Sequence, residues 1–346
     1  MSANDQGLPP AYTKKDFESG VDPRWCPGCG DYGIINQVQR VLPTLGVPRE
    51  NIVFVSGIGC SSRFPYYMRT YGMHTVHGRA PTFATGLKLS RPELQVWVVT
   101  GDGDALAIGG NHFIHAMRRN VDIKLLLFNN RIYGLTKGQV SPTSELGKKT
   151  KTPPHGSPDN PFNPLALALG AGATFVARSI DADGPHLGAV LKAAAEHKGT
   201  AFVEILQNCP VFNDGAHALL TDKATKADTQ LRLESGSPLL FGKDGRKGIR
   251  LDPRSAALEV VTAGEAGADG VGVLIHDARR QDPAFAFMLA GMDAMPGFPT
   301  PIGIFRDARQ PTVEELAWEL IGKARAEKGE MGVRELLAAG DTWTVR

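Results

Sequence analysis

Cysteine is scarce in this chain, four residues in 346, and so is any imbalance of charge: 38 Lys and Arg stand against 36 Asp and Glu, a formal net charge of +2. A near-neutral chain creates no whole-molecule field to attract nucleic acid or an anionic bilayer, so neither is expected as a partner. Long hydrophobic runs are missing too. The first twenty residues contain no apolar signal-peptide core, and no uncharged apolar stretch approaches the roughly 20 residues that cross a bilayer. These absences argue against a membrane protein, and a cytoplasmic location is expected. In that reducing compartment a close cysteine pair reads as a metal or redox site before it reads as a disulfide. Internal repeats and low-complexity tracts are also lacking. What the chain does have is length and 42% hydrophobic residues, enough for one large α/β domain with an appendage.

Five short apolar, β-rich runs occur at NIVFV (51–55), LQVWVV (94–99), IKLLLF (123–128), TFVARS (174–179) and TAFVEIL (200–206). Helical stretches at 80–90, 104–119, 163–170 and 185–198 separate them, and the spacing of Ile34, Val38, Val41, Leu42 and Leu45 predicts a helix from just after Cys29 to near Gly46. Continuous apolar strands alternating with helices require a sheet covered on both faces, so the expected fold is α/β, doubly wound and mostly parallel. Ligands in such sheets bind beyond the carboxyl ends of the strands. Residues 20–217 are expected to carry the site. Residues 1–19 read as an N-terminal arm and 218–346 as a C-terminal α/β extension for subunit contact, with a hairpin at Asp244-Gly245, a strand near GVLIH (272–276) and helices near 281–291 and 312–327.

The segment VWVVTGDGDALAIGGNHFIHAM is strand, glycine turn, then helix, which offers an anion backbone N–H groups and the positive end of a helix dipole. It departs from the dinucleotide fingerprint, because Leu106 stands where the third glycine belongs and Asp102 would face a pyrophosphate as one anion against another. A bridging cation resolves the conflict, and Mg²⁺ takes one or two protein oxygens together with phosphate oxygens and water. A second oxygen ligand then belongs at the end of the neighbouring strand, where Asn130 follows Asp102 by 28 residues. The alternative is a plain strand-to-helix turn, with Asp104 capping the helix and Asn130 opening a loop.

The cysteines are Cys26 and Cys29 in WCPGCG, Cys60 directly after the first strand and Cys209 directly after the last, so all four fall at element ends on the expected ligand edge. Four thiolates at one point suit either a tetrahedral zinc or a [4Fe–4S] cluster. A thioredoxin-like pair would need no distant partners, and inert buried thiols would not all sit at element ends.

The glycine–aspartate turn followed by a helix and an apolar strand ending in Asn-Asn resembles the thiamine diphosphate motif. Together with WCPGCG, GIGCSSR, HTVHGRAP, NNRIYGLTKGQ and NCPVFN, in that order over about residues 20–220, it resembles the β subunit of 2-oxoacid:ferredoxin oxidoreductases, most like the 2-oxoglutarate type. The resemblance implies one [4Fe–4S] cluster on Cys26, Cys29, Cys60 and Cys209, and Mg²⁺ held by the side chains of Asp102 and Asn130 and the carbonyl of Ile132. It implies thiamine diphosphate contacts at Ile58, Gly59, Cys60, Ser61, His77, Gly101, Asp102, Gly103, Asp104, Asn130, Tyr133, Gly134, Leu135 and Thr136. Lys137 is the implied anchor for the second carboxylate of 2-oxoglutarate, a role its ammonium suits, with Arg63 and Arg79 as rivals. The implied reaction is CoA-acylating oxidative decarboxylation of 2-oxoglutarate to succinyl-CoA and CO2, or the reverse carboxylation, with electrons passing to ferredoxin. It further implies an α subunit in an α₂β₂ assembly that completes the site, without which the chain is inactive. Three alternatives stay open: a pyruvate or broad-specificity member of the same family, a thiamine-dependent decarboxylase or synthase half without electron transfer, and a zinc-stabilised binding or scaffold protein.

Overall fold

Residues 11–263 and 272–345 are described by a computed structural model. Arm residues 1–10 lie outside the described residues. Six strands are laid down before residue 210: β1 (Ile52–Ser56), β2 (Tyr71–His74), β3 (Gln95–Gly101), β4 (Ile123–Asn129), β5 (Phe175–Ile180) and β6 (Ala201–Leu206). The C-terminal segment adds β7 (Gln230–Leu233), β8 (Leu240–Phe241), β9 (Lys247–Leu251), β10 (Leu258–Thr262) and β11 (Thr300–Asp307). The main sheet has eight strands in the order β2-β1-β3-β4-β6-β5-β11-β7, all neighbours parallel except β11 against β5.

Alternation along the central strands fills a core on each face. Val96, Val98, Leu125, Leu127 and Phe202 point to one side, and Trp97, Val99, Leu126, Phe128 and Val203 to the other. Helix α1 (Asp31–Val41) lies against the second set and meets α6 (Gly184–Glu196); α2 (Ala80–Ser90) covers the first set beside α4 (Gly110–Arg119), with α5 (Pro164–Gly170) further along. With both faces covered, the strands read as unbroken apolar runs, which is why they were visible in the sequence.

Four features depart from the sequence expectations. The helix expected over 104–119 is broken into α3 (Asp102–Leu106) and α4, because Gly109 is pressed against Gly78, where an added Cβ would lie 2.6 Å from the Gly109 nitrogen. The strand expected at 272–276 forms only single bridges, Val273 to Arg250 and Ile275 to Pro238. Strand β11 was not foreseen: Pro301 and Gly303, the latter at φ +125°, disguise it as a loop. The C-terminal segment is also less of an appendage than expected, since β11 and β7 complete the main sheet while β8, β9 and β10 form a separate antiparallel sheet. Its first hairpin turns at Asp244 (φ +60°) and Gly245 (φ +66°), as the Asp-Gly pair predicts. Among the described residues no helix is long and apolar enough to cross a membrane.

Candidate active site

Parallel strands bring the loops after β1, β3, β4 and β6 to one edge of the sheet. The loop after β3 opens directly into α3, burying Asp102 and Asp104 at its first turn. Their carboxylates are used differently. Asp104 Oδ1 accepts the Gly78 backbone N–H at 2.6 Å and lies 2.7 Å from His77 Nδ1, while Oδ2 accepts the Thr100 hydroxyl at 2.6 Å. Its negative charge thus pins the 77–78 loop over the turn. Asp102 Oδ2 accepts hydroxyls from Ser141 and from Thr143 (2.6 Å), which leaves Oδ1 without a side-chain partner. Burial pushes the Asp102 carboxyl up to about 6, against the pull of those two hydroxyls. A cation at this point would restore the ionised form.

After β4 the chain makes a tight, well-bonded turn. Arg131 adopts φ +57°, and its N–H donates to Asn129 Oδ1 at 3.2 Å while the Ile132 N–H donates to Asn130 Oδ1 at 3.2 Å. The next hairpin closes through Tyr133 N–H to the Gln139 carbonyl (2.9 Å) and Gly138 N–H to the Tyr133 carbonyl (2.8 Å). Lys137 sits at its tip with φ +78°. The Tyr133 hydroxyl reaches across to the Gly103 carbonyl at 2.9 Å, and its ring lies so close that a methyl group on Gly103 would overlap it.

A cavity of about 540 Å³ results, lined by Ile58, Gly59, Cys60, Ser61, His77, Gly101 to Asp104, Asn130, Ile132 and Tyr133 to Thr136. Sequence reasoning missed its other wall residues: Asp31, Phe128 and Gln139. Asp31 is buried, with burial pushing its carboxyl up to about 7, and its Oδ2 has no hydrogen-bond partner. Its position two residues after Cys29 was its one visible signal. Ser141 and Thr143, the partners of Asp102, were missed because nothing in SPTS announces a neighbour forty residues upstream.

The four thiols border a second cavity of about 340 Å³. The CxxC turn closes through the Cys29 N–H to the Cys26 carbonyl (3.0 Å), and Gly28, at φ +80°, supplies the left-handed residue it needs. Two bonds tie this turn to the other cysteines: Trp25 Nε1 donates to the Cys60 carbonyl at 2.7 Å, and Gly30 N–H donates to the Asn208 carbonyl at 3.1 Å. Gln207 Nε2 approaches Cys29 Sγ at 3.2 Å. Burial, with the Asp31 carboxylate adding to it, pushes the Cys60 thiol up to about 11, and burial raises Cys29 further. The two cavities share Cys60, Asn130, Gly134 and Leu135 as their common wall. A Cβ on Gly134 would lie 3.5 Å from Cys209 Sγ and 3.7 Å from Cys60 Sγ.

Of the three expected carboxylate anchors, Lys137 and Arg63 border the cysteine cavity. Arg79 borders neither: its guanidinium donates to the Ile108 carbonyl at 3.1 Å and approaches the His77 carbonyl at 3.5 Å, bracing the loop that Asp104 pins.

Known proteins resemble the chain over this region and beyond it. Residues 57–205 match the family model described as thiamine pyrophosphate enzyme, C-terminal TPP binding domain. The chain is 50% identical over 360 aligned residues to 2-oxoglutarate oxidoreductase subunit KorB of Mycobacterium tuberculosis, covering 100% of this chain and 95% of that one. It is 52% identical over 192 residues to a 2-oxoacid:ferredoxin oxidoreductase subunit beta of Sulfolobus, covering 55% of this chain and 63% of the relative. A solved 2-oxoglutarate:ferredoxin oxidoreductase from Magnetococcus marinus, with 2-oxoglutarate, coenzyme A and succinyl-CoA bound, superposes with a TM-score of 0.74 at 34% identity, covering 96% of this chain and 97% of that one.

Proposed function

Because this chain belongs to the family of 2-oxoacid:ferredoxin oxidoreductase β subunits, we propose that it carries the thiamine diphosphate and iron–sulfur half of an enzyme converting 2-oxoglutarate and coenzyme A to succinyl-CoA and CO2, or running the reverse carboxylation. It works with an α subunit, in an α₂β₂ assembly, and passes electrons to ferredoxin. The observation that carries this reading is the wall shared by the two cavities, where Cys60, Asn130, Gly134 and Leu135 line both the glycine–aspartate cavity and the thiol cavity.

Bound thiamine diphosphate supplies the electron sink that decarboxylation of a 2-oxoacid requires. Everything else falls to the chain. Asp102 Oδ1 and the Asn130 side chain, with the Ile132 carbonyl, would hold Mg²⁺, a hard cation suited to oxygen ligands that would offset the negative charge of a diphosphate. Gly103 keeps the turn slim enough for the backbone to approach a diphosphate, and the start of α3 presents its N–H groups. His77, held by Asp104, closes the cavity beside Tyr133. Lys137 and Arg63 border the thiol cavity, next to the cofactor cavity, and from there their positive charge would pair with the second carboxylate of a bound dicarboxylate.

The ferredoxin-linked relatives favour a cluster over zinc. All four thiols border one cavity, the ligand number that one [4Fe–4S] cluster takes, and metal binding would ionise the Cys29 and Cys60 thiols that burial holds protonated. The test is cofactor analysis of the anaerobically purified αβ complex. Iron and acid-labile sulfide in equal amounts, with thiamine diphosphate and magnesium, are expected; stoichiometric zinc without iron contradicts the reading.

A further inference from the structure

The sheet face that carries Leu125, Leu127 and Phe202 ends in a row of polar side chains: Asn129 at the end of β4, Glu204 on β6 and Arg178 on β5. All three are at most 3% exposed. Polar and charged groups on such a face are costly unless they are paired, and Glu204 pairs with both of its neighbours. Arg178 Nε donates to Glu204 Oε2 at 2.6 Å, and Asn129 Nδ2 donates to Glu204 Oε1 at 2.7 Å. Beyond Arg178 the row continues into the C-terminal segment, where Asp293 Oδ2 lies 2.8 Å from the second guanidinium nitrogen.

Because Glu204 accepts the Asn129 amide N–H, the Asn129 carbonyl oxygen must face the other way. There it accepts the Arg131 backbone N–H at 3.2 Å, and it lies 2.9 Å from the Thr143 hydroxyl that also bonds Asp102. The first of these contacts holds the left-handed Arg131 turn that presents Asn130 and Ile132; the Thr143 hydroxyl gives its single proton to Asp102 and only packs against the Asn129 oxygen. Turning the Asn129 amide over would set its NH₂ group against the Arg131 N–H, donor against donor. A cavity of about 230 Å³ lies along the row, lined by Asn129, Thr143, Arg178, Glu204 and Asp293 among others. Packing therefore does not hold Arg178 on that side, and the ion pairs do.

We propose that Asn129, Glu204 and Arg178 are positioning residues that set the geometry of the Mg²⁺-binding turn, and that Asp293 makes this geometry depend on the C-terminal segment. The proposal gives residues 218–346 a task inside the active site of their own chain. It rests on the reading that Mg²⁺ binds at Asp102 and Asn130.

The test strips the αβ complex of thiamine diphosphate and Mg²⁺ by chelation, then measures thiamine diphosphate binding by calorimetry across a Mg²⁺ series. Wild-type protein that binds the cofactor equally well without any divalent cation would overturn the underlying reading. Given a wild-type requirement for Mg²⁺, Asn129→Ala is expected to raise the Mg²⁺ half-saturation concentration about tenfold, the scale of a lost supporting contact behind a metal ligand. Glu204→Gln and Asp293→Ala are expected to raise it less, with the KM for the 2-oxoacid at saturating cofactor unchanged. Variants that melt at lower temperature but keep the wild-type Mg²⁺ half-saturation would show a merely structural role and overturn the proposal. Should Asn129→Ala fail to assemble, Asp293→Ala decides alone, since Asp293 is 20% exposed at its side chain and outside the core strands. An unchanged half-saturation in that variant also overturns it.

Discussion

Lys137 shows how local backbone geometry sets what a single residue can do. With a φ of +78° it sits at the tip of a hairpin, exposed, and borders the thiol cavity as Arg63 does. An ammonium there has little structural work, so Lys137→Ala is expected to leave folding intact and to raise the KM for 2-oxoglutarate roughly tenfold relative to pyruvate, the cost of one lost charged contact. Unchanged selectivity between the two substrates would remove the residue from substrate binding. His217 works in the opposite way, buried and neutral, with Nε2 donating to the Asn129 carbonyl at 3.0 Å. Burial, reinforced by Arg131, pushes its imidazole down to about 4. The unfolded chain takes up a proton below about 6.5 that the folded chain refuses, so stability is full above that pH and is lost as pH falls towards 4, by up to roughly 3 kcal/mol. Urea midpoints measured over this range should fall less steeply for His217→Gln, which keeps a donor and cannot titrate. Equal slopes would contradict the assignment.

The elements around the site differ in how far their sequence reveals them. β1 and β3 to β6 are largely continuous apolar runs, and their ends fall within a residue or two of expectation, because burial on both faces leaves no other pattern open. β2 has four exposed residues at the sheet edge, and β7 alternates at its far end, so neither carries such a run. The turn between Asn130 and Gln139 is legible as a loop, but not its consequence, which is that Gly134 stands between the two cavities. Gly134→Ala tests that placement. Its methyl would meet Cys209 Sγ and Cys60 Sγ at ordinary contact distances, so the fold should hold. The volume beside the thiols would shrink, so reconstituted iron per chain should fall while thermal stability of the metal-free protein stays near wild type. Full iron content in the variant would show that Gly134 does not border the cluster.

Over the whole molecule, the sequence pointed to one ligand edge and to the residues with strong chemical character there. It was silent on the residues that support them. Asp31, Ser141 and Thr143 acquire meaning only when distant loops meet, and Glu204 and Arg178 are single polar letters inside apolar strands, FVEIL and FVARSI, whose signal is the misfit itself. The C-terminal segment was harder still, since β11 hides a proline and a glycine within a strand that joins the main sheet. The central claim is that a thiamine diphosphate site and a four-thiolate cluster share one wall so that electrons released on one side are collected on the other. Low-temperature electron paramagnetic resonance of the anaerobic αβ complex, mixed with 2-oxoglutarate and coenzyme A in the absence of ferredoxin, tests it directly. A reduced [4Fe–4S] signal that grows on mixing and disappears in Asp102→Ala is the predicted result; a complex that forms succinyl-CoA while its cluster stays silent, or that contains no iron, would contradict it.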